Sequence, residues 1–497
     1  MPADVGLASR RSADRQETVK AGGRTLLIAG AVVAAVAAIL YLVALATHPM
    51  DAMLKGFDLQ VYLGGAHEAL HHSHSLYSWE FESNGVKHPG IQFTYTPFAA
   101  LAFAAGLALP FTGLMAVVTV VSLFSLVATI WIAFRQLGWE KTSRLGATML
   151  LSGLLLWTEP VQRALFLGQV ELVLMALVVW DLCQPDRRRW KGAATGIAAG
   201  IKLVPLLFIA YLLLTRRFRQ AAVAGAAFVV TVIIGFIALP NASVTWWLDG
   251  NFFQAGRTGF VGSEQNQSLR GVLTRLIGSV STAQAPWLLL AVLVGLLGLA
   301  AAVILYNSGQ TFAGLMACAL TALLVSPISW DHHWVWIAPG LALIIDAGVR
   351  AAGAARAAWF ALAAAVLVLY GGWPDFWSRK AGLLQGGLIN YAPASSYAHG
   401  DNPGYAEYHW HGLQLIAGNL YLLGGAALFV VVCVTALRAA REHGGVTRSL
   451  LAHSLAGRHL LVHPPEPVPA AGRQLLEVRG EPQGQRRRPR DPARIGR

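Results

Sequence analysis

The stretch LLIAGAVVAAVAAILYLVALA, residues 26–46, decides the fold class of this chain. It carries no charged side chain and matches the roughly 20 residues with which an α-helix crosses the hydrocarbon core of a bilayer. The apolar core of a signal peptide is shorter, and no clear small-residue cleavage site follows this stretch. We therefore interpret it as a first membrane span that the protein retains.

Segments of similar composition recur along the chain. Of its 497 residues, 55% are hydrophobic and only 13% are charged, whereas a soluble protein of this length needs more charge to cover its surface. Apolar segments separated by short basic or Gly/Pro-rich breaks predict an all-α, polytopic membrane protein with about 10–12 transmembrane or re-entrant segments. After the first span, these segments lie near 94–109, 111–134, 143–158, 169–184, 191–214, 217–239, 286–306, 311–326, 334–349, 354–371 and 412–436.

Basic residues indicate which side of the membrane each loop faces. Much of the net charge of +13 lies in short loops, such as Arg187–Arg189 and Arg216–Arg217, and in the C-terminal tail. Such loops mark the cytoplasmic side, and the tail is expected near anionic lipid headgroups, so the charge does not point to nucleic acid. With both termini in the cytoplasm, the segments predicted outside are 48–110, 159–168, 240–285, 327–333 and 372–411.

Two segments depart from a simple alternation across the membrane. A strict alternation through all of these segments would place the basic loop at 187–191 outside, which conflicts with the positive-inside rule. Three glycines and Pro205 also make a single straight helix unfavourable there. We therefore expect a broken hairpin at 191–214 and a juxtamembrane or re-entrant piece at 94–109, with irregular backbone that is buried or lines a cavity.

These features divide the chain into three predicted regions. Residues 1–24 form a disordered cytoplasmic N-terminus, and residues 25–436 form the membrane domain. Residues 437–497 form a basic, disordered cytoplasmic tail that is rich in Arg, Pro, Gly and Glu. No Gly-x-Gly-x-x-Gly motif opens a helix and no phosphate-binding P-loop occurs, so we expect no cytosolic domain that uses a nucleotide.

Neither the cysteines nor the histidines of the first loop predict a metal site. The cysteines have no paired spacing and are interpreted as small core residues. His67 and His71 are four residues apart, but no His-Glu-x-x-His arrangement with a further ligand is evident. No metal or other cofactor is therefore expected. The cysteines are Cys183, Cys318 and Cys433.

Asp58, which follows the first span, is the leading candidate for a general base. Ionisable groups at membrane depth are unfavourable and are usually functional. A carboxylate that takes a proton from an attacking hydroxyl in the transition state accelerates transfer by roughly 10²–10⁴-fold. The alternative is a helix N-cap or a surface acid, because aspartate favours caps.

A histidine pair follows a helix-breaking stretch far downstream. In SPISWDHHW, residues 326–334, the first five residues break a helix just before His332 and His333. One imidazole could contact a phosphate leaving group or orient the base, because histidine titrates near working pH. The alternative is an aromatic belt in which Trp and His side chains lie at the headgroup level.

Further side chains are candidate substrate ligands. Lys202 lies in an apolar hairpin, where an uncompensated lysine costs about 2.5–3.5 kcal/mol. It could neutralise a lipid phosphate or extend to the cytoplasmic surface. Amides offer a donor and an acceptor to sugar hydroxyls, although they also cap turns, and aromatic rings stack on sugar faces. The amide and aromatic candidates are Gln169, Asn266, Gln267, Tyr62 and Tyr95.

Six motifs occur in order between about residues 25 and 435: DLQVY (58–62), FTYTPF (93–98), LGQ (167–169), GIKLVP (200–205), NQSL (266–269) and SPISWDHH (326–333). This ordered set resembles the polyprenol-phosphate-mannose-dependent α-1,2-mannosyltransferases of actinobacteria, in the branch of phosphatidylinositol-mannoside and lipomannan mannosyltransferases. These enzymes are membrane glycosyltransferases of the GT-C superfamily. The chain from Leu437 and most of the first 24 residues lie outside the resemblance.

The resemblance implies a GT-C-like fold and a catalytic base at Asp58, with the histidine pair at His332 and His333. It implies a polyprenyl-phosphate-mannose donor on the outer face of the plasma membrane, and a mannolipid or lipoglycan acceptor. In a single inverting displacement, the acceptor 2-hydroxyl would attack the anomeric carbon and form an α-1,2 linkage. One carboxylate suffices, because a phosphate leaving group needs little protonation, whereas glycoside hydrolysis usually needs two.

Two alternatives stay open from the sequence. The first is a related transferase that uses a polyprenyl-phosphate-arabinose donor. The second is a transporter of lipids or polyprenyl phosphate, which would move its substrate without forming a glycosidic bond. Many transporters contain internal repeats, and no such repeat is evident in this chain.

Overall fold

We analysed a computed structural model that describes residues 3–48, 53–83, 85–373, 386–395 and 401–459. Its contacts separate a main unit, residues 1–443, from a second unit, residues 444–497. The described part of the second unit is the C-terminal end of one helix. The site discussed below lies within the main unit.

Helices dominate the N-terminal half of the main unit. One antiparallel hairpin joins β1 to β2 after the second helix. The elements are α1 (Ala3–Thr47), α2 (Phe57–His71), β1 (Glu80–Ser83), β2 (Val86–Gln92), α3 (Pro97–Ala104), α4 (Phe111–Gln136), α5 (Lys141–Leu155), α6 (Glu159–Leu167), α7 (Glu171–Leu182), α8 (Ala193–Ile201), α9 (Leu206–Leu214) and α10 (Phe218–Ala238).

The C-terminal half continues with helices that are joined by irregular loops. Short 3₁₀ or π turns occur at Ala105–Ala108, Val244–Leu248, Asn251–Phe253, Ala255–Thr258, Asp331–Trp336, Leu388–Tyr391 and Ala406–His409. The helices are α11 (Pro240–Ser243), α12 (Leu269–Ile277), α13 (Gln284–Asn307), α14 (Thr311–Val325), α15 (Ile337–Arg350), α16 (Gly353–Leu369), α17 (Leu413–Ala417) and α18 (Leu420–His459).

The structure confirms an all-α, multi-pass membrane protein, but fewer helices are long enough to cross a bilayer alone than the sequence analysis suggests. Within the described residues, five are long and apolar enough, or six if the α6–α7 pair counts as one broken span. Glycine, proline and polar residues interrupt the other apolar segments, which form shorter helices. The five are Gly22–Thr47, Phe111–Gln136, Phe218–Ala238, Gln284–Asn307 and Leu420–Glu442.

The predicted broken hairpin at 191–214 is confirmed. Helix α8 ends at Ile201 and α9 begins at Leu206, so Lys202 lies at the break between them. The basic loops at the two ends meet, because Arg219 donates to the main-chain oxygens of Asp186 and Arg188. The predicted piece at 94–109 is likewise a short helix, α3, followed by a 3₁₀ turn.

The glycines of α8 have a packing role that the sequence analysis treats only as weak helix propensity. A Cβ atom at Gly196 would lie 2.1 Å from the main-chain oxygen of Ala224, and one at Gly200 would lie 2.2 Å from Thr231 Oγ1. Small residues allow helix backbones to approach closely in membranes. The glycine face therefore fixes α8 against α10 and sets the position of Lys202.

Helices extend past both predicted limits of the membrane domain. Helix α1 begins at Ala3, and α18 continues to His459. The rest of the predicted C-terminal tail, residues 460–497, lies outside the described residues. The location of both termini in the cytoplasm stays a prediction.

Candidate active site

A cavity of about 530 Å³ lies at the junction of segments that are far apart in the sequence. Its wall combines the start of α2, the residues after β2, the α8–α9 break, the loop near 246–259 and the end of α14. This convergence brings together six of the nine side chains that the sequence predicts for the site. They are Asp58, Tyr62, Tyr95, Gln169, Lys202 and His333.

Asp58 lies in the first turn of α2 and does not cap that helix. The N-cap residue is Gly56, and no side chain caps this end. Instead, Gln169 Nε2 donates a hydrogen bond to Asp58 Oδ2. The helix-cap alternative for Asp58 is therefore wrong, and its half-buried carboxylate lines the cavity.

A chain of hydrogen bonds orients the Asp58 carboxylate. Tyr62 donates to Gln169 Oε1 at 2.6 Å, which leaves the Gln169 amide to donate to Asp58. The hydroxyls of Tyr62 and Tyr95 are 2.8 Å apart, so Tyr95 donates to Tyr62. This order follows because each hydroxyl has one proton to donate. Gln169 and the tyrosines therefore position Asp58.

The turn between α6 and α7 places Gln169 beside Asp58. Gly168 ends α6 with φ 70°, a left-handed conformation that favours glycine. A Cβ atom there would also lie 2.8 Å from Leu59 Cβ on α2. The 114° bend between α6 and α7 thus depends on a residue without a side chain.

Lys202 is compensated inside the protein and does not extend to the cytoplasmic surface. Its ammonium group forms an ion pair with Glu171 Oε1 and lies 2.9 Å from His333 Nε2. Because an ammonium can only donate, His333 Nε2 accepts from Lys202, and Glu171 Oε1 lies 3.3 Å from the same Nε2 atom. The Lys202 ammonium also lies 5.6 Å from the centre of the Tyr95 ring.

His332 belongs to a second, adjacent group of charges. Its Nδ1 lies 3.0 Å from Asp331 Oδ1, and Arg163 Nε lies 3.8 Å from Asp331 Oδ2. Because the carboxylate accepts, His332 Nδ1 donates and Nε2 is left as an acceptor. This Nε2 atom is buried and has no hydrogen-bond partner in the described part of the protein.

Burial and neighbouring charges separate the pKa values of these groups. Burial raises the pKa of Asp58, although His332 and Arg163 partly oppose this shift. Burial lowers the pKa of His333 to about 3, and the Lys202 ammonium adds to the effect. Burial alone would raise the pKa of Asp331, but the hydrogen bond from His332 and the charge of Arg163 lower it to about 2. Asp58 is thus the more basic of the two carboxylates.

Glu171, His332 and His333 could also hold a metal ion by spacing alone. Their ligand atoms lie within 4.8 Å of one another, which makes them the one such group among the residues described. Lys202 Nζ already contacts Glu171 and His333. A divalent ion at that centre would meet the lysine charge, so this set does not fit a metal while Lys202 is protonated.

Asn266 and Gln267 lie outside the cavity wall, and their amides connect loops. Asn266 donates to the main-chain oxygen of Val261 at 2.8 Å and accepts from the amide of Ser329 at 3.0 Å. Gln267 donates to Gly418 and accepts from the amide of Tyr421. Both are fully buried. Asn266 thus fixes the loop that precedes the histidine pair, whereas Gln267 fixes the start of α18.

The sequence analysis misses three charged residues that complete the site. Glu171 compensates Lys202, and Asp331 orients His332. Arg257 lines the cavity, and its guanidinium donates to the main-chain oxygen of Tyr77. Asp331 lies within the SPISWDHH motif and Glu171 lies two residues after LGQ, so an isolated carboxylate at the edge of an apolar segment is the signal that could have found them. Arg257 lies in an irregular loop, and no local pattern marks it.

Comparison with known proteins supports a glycosyltransferase. The model of glycosyltransferase family 87 matches residues 93–327. The chain is 33% identical over 303 residues to a polyprenol-phosphate-mannose-dependent alpha-(1-2)-phosphatidylinositol pentamannoside mannosyltransferase from Mycobacterium tuberculosis (strain CDC 1551 / Oshkosh). This match covers 60% of the chain and 68% of the relative.

Other relatives act on related acceptors according to their names. A protein of the same name from Mycolicibacterium smegmatis is 32% identical over 312 residues, which cover 61% of the chain and 74% of the relative. A phosphatidylinositol mannoside mannosyltransferase from M. tuberculosis (strain ATCC 25618 / H37Rv) is 31% identical, with coverage of 56% and 67% respectively. No solved structure matches the chain significantly.

Proposed function

We propose that this chain, which belongs to glycosyltransferase family 87, transfers mannose from polyprenyl-phosphate-mannose to a phosphatidylinositol mannoside and forms an α-1,2 linkage. The names of its relatives supply the donor, the acceptor and the linkage. One structural observation carries the proposal for the site. A carboxylate, a lysine and an imidazole converge on one cavity whose further lining is largely apolar and aromatic.

In this proposal Asp58 is the general base. The acceptor 2-hydroxyl gives its proton to Asp58 while its oxygen attacks the anomeric carbon of mannose. The bond from that carbon to the phosphate oxygen breaks, and the phosphate leaves with the electron pair. The raised pKa of Asp58 supports this role, because a base is most effective when its pKa approaches the working pH.

Lys202 and Arg257 are the proposed partners of the departing phosphate. Both line the cavity, and Lys202 is held in place by Glu171 and His333. Charge that develops on a leaving group is stabilised best by donors that are already oriented in a water-poor site. His333, with its lowered pKa, acts here as a neutral support for Lys202.

The apolar part of the cavity suits the lipid of the donor. Leu203, Val204, Leu207, Ala322 and Val325 form one side of the wall next to Lys202. A polyprenyl chain is apolar, and its burial against such side chains contributes roughly 25 cal/mol for each Å² removed from water. The phosphate would then lie between this apolar side and the Asp58 side of the cavity.

His332 is the second candidate for the base, and one observation favours it. Its Nε2 atom is buried without a partner while Asp331 orients Nδ1. A carboxylate that fixes the tautomer of an imidazole is the arrangement used in acid–base catalysis. We assign the primary role to Asp58, because Asp58 lines the cavity whereas His332 does not.

We further propose that the protein resides in the plasma membrane with the cavity open to the outer face. Three of the segments that the sequence predicts outside contribute to the cavity wall, namely 48–110, 240–285 and 327–333. The basic loops that are predicted inside meet each other away from it. Labelling of single introduced cysteines with an impermeant reagent in intact cells tests this orientation.

The function is tested by incubating membranes that contain the protein with radiolabelled polyprenyl-phosphate-mannose and purified phosphatidylinositol mannosides. We expect a labelled glycolipid from which an α-1,2-specific mannosidase releases mannose. Unlabelled polyprenyl-phosphate-arabinose should not compete well for the donor site. A product labelled from arabinose instead, or movement of the donor lipid across vesicles without a new glycosidic bond, would contradict the proposal.

A further inference from the structure

A second polar cavity lies at the opposite end of helix α7 from the active site. Its volume is about 590 Å³, within the range of sites for small ligands. Glu171, at the start of α7, contacts Lys202, whereas Leu182 and Cys183, at its end, line this second cavity. The twelve residues of the helix separate the two sites by about 18 Å at 1.5 Å per residue.

The lining of this cavity is basic. Arg135, Arg188, Lys191 and Arg217 contribute four cationic side chains, against the single carboxylate of Asp186. Lys191 Nζ lies 2.9 Å from Asp186 Oδ1, and Arg217 donates to the same oxygen at 3.1 Å. One carboxylate cannot neutralise four cations, so the cavity keeps an excess of positive charge.

Two buried polar atoms at this site lack the partners that they need. The Tyr211 hydroxyl lines the cavity, its residue is only 1% exposed, and it has no hydrogen-bond partner among the described residues. Arg217 Nε is likewise a buried atom without a hydrogen-bond partner among the described residues, although the Arg217 side chain is itself only partly buried. Buried polar groups are normally satisfied, and an exception calls for a ligand or a water molecule.

Helix α14 adds main-chain donors to the cavity. Thr311 and Phe312, its first two residues, line the wall, and no side chain caps this end of the fifteen-residue helix. The first amide groups of a helix have no partner within it, and together with the helix dipole they favour an anion. The apolar side chains of Leu182, Phe312 and Leu315 lie beside these donors.

From this combination we infer that the cavity binds the phosphate of an anionic lipid headgroup. The cations and free donors suit phosphate oxygens, and Arg and Lys are the usual partners of that group. The apolar wall suits the start of an acyl chain. The cavity lies between helix ends and beside the two basic loops that the sequence predicts inside, where anionic lipids attract basic residues. This site is distinct from the proposed catalytic cavity, and the inference does not depend on the sugar transferred.

The test uses the full chain, purified in a neutral detergent and exposed to phosphatidylglycerol or phosphatidylcholine. Native mass spectrometry then counts retained lipids. Arg135 and Arg188 are exposed, and their side chains form no hydrogen bond or ion pair with the described residues, so R135Q/R188Q should fold. The matched control is R187Q/R189Q, which removes the same charge from the same region but does not line the cavity.

We expect the R135Q/R188Q variant to retain phosphatidylglycerol at least about tenfold less than wild type, since it removes two charged donors to the phosphate inside the cavity. The R187Q/R189Q control should stay within about twofold, because its arginines do not line the cavity. Asp186→Asn should retain more phosphatidylglycerol, because it removes the one carboxylate. A folding defect cannot mimic that gain. Equal loss in both double variants, or equal retention of phosphatidylcholine by the wild type, would overturn the proposal.

A separate arm decides between a lipid and a soluble source of phosphate. Inorganic phosphate is added to lipid-free protein, and thermal unfolding is measured for the wild type, R135Q/R188Q and Asp186→Asn. Phosphate could raise the unfolding temperature of the wild type but not that of R135Q/R188Q, while the first arm shows no retained lipid. That result would support the anion site but contradict a lipid occupant. Lipid retention without a phosphate shift supports the lipid assignment.

Discussion

The two cavities at the ends of α7 use charge in opposite ways. At the catalytic cavity, Lys202 is matched by Glu171, and in the adjacent charge group Asp331 is matched by Arg163 and His332. In the basic cavity, four cations face one carboxylate. Charged side chains deep inside a membrane protein must be neutralised by other side chains, whereas charged side chains at its edge can be neutralised by lipid headgroups or solvated by water.

This difference separates the group that can take up a proton from the charged groups that are neutralised by ion pairs. Asp58 is the one acid of the catalytic cavity wall, and among the described residues it accepts a hydrogen bond from Gln169 but has no cation in direct ion-pair contact. An unpaired carboxylate keeps its proton affinity, as the raised pKa of Asp58 shows. The paired charges around it hold the site together and place cations for a phosphate.

The largest expected effect comes from Asp58→Asn. Loss of the base should lower kcat by roughly 10²–10⁴-fold without loss of folding, because the amide is nearly isosteric. Donor binding, measured by retention of the radiolabelled lipid, should change little. Asp249→Asn is the matched control, since Asp249 is exposed and lies outside the cavity wall. Similar rates for the two variants would contradict the assignment.

Lys202→Met should lower the transfer rate by about 10²–10³-fold, the loss seen when one oriented donor to a developing charge is removed. It should also destabilise the protein, because Glu171 is left buried without its cation. The double variant E171Q/K202M separates the two effects. We expect thermal stability to recover in the double variant while transfer stays low; recovery of transfer would make Lys202 a purely structural residue.

The histidines should differ in the kind of effect that their removal has. His332→Gln should lower kcat by roughly tenfold or more, because it removes the buried Nε2 acceptor that Asp331 orients through Nδ1. His333→Gln should mainly raise KM for the donor by about tenfold, through the loss of one hydrogen bond that holds Lys202. Steady-state kinetics of both variants measure this split, and the reverse split would exchange their roles.

The acidic limb of the pH profile of transfer should lie modestly above the ordinary pKa of aspartate. Asp58 accepts a proton only when it is ionised, so kcat/KM should fall as the pH decreases through its pKa. Since burial raises this pKa, the acidic limb should lie above the ordinary aspartate value of about 3.9. In Gln169→Leu, which removes a hydrogen bond that stabilises the ionised form, the limb should move to still higher pH. A shift to lower pH would contradict this account.

The smallest expected effect concerns the basic cavity. R135Q/R188Q should change kcat by less than about twofold at saturating donor, because the cavity lies roughly one α7 length from the chemistry. The same preparation that is used for lipid retention provides the measurement. A loss of kcat comparable to that of Asp58→Asn would show that the two cavities are not independent.

Much of the site could be predicted from the sequence, because polar residues stand out in apolar segments. Asp58, Gln169, Lys202 and His333 were predicted for that reason, and the structure brings them to one cavity. Glu171 could not be assigned, since its role depends on a tertiary contact with Lys202. The role of Asn266 could not be assigned either, since the sequence does not show whether its amide binds a sugar or forms hydrogen bonds with Val261 and Ser329.

The fold was predictable in class but not in the length of its helices. The apolar composition predicts a polytopic helical protein, and the five long helices agree. It does not specify the bend at Gly168 or the close packing of Gly196 on Ala224. Those features depend on space left by neighbouring helices, which composition does not record. The basic cavity was missed for the same reason, because helix ends far apart in the sequence form it.

Chemical rescue tests the role of Asp58 most directly. In Asp58→Ala, formate can enter the space beside Gln169 and supply the missing carboxylate. We predict that transfer by this variant is very low without formate, rises with formate concentration, and yields a product that an α-1,2-specific mannosidase cleaves. The wild type and His332→Ala should show no such rise. Transfer near the wild-type rate without formate, or the same stimulation in His332→Ala, would contradict the claim that Asp58 is the base.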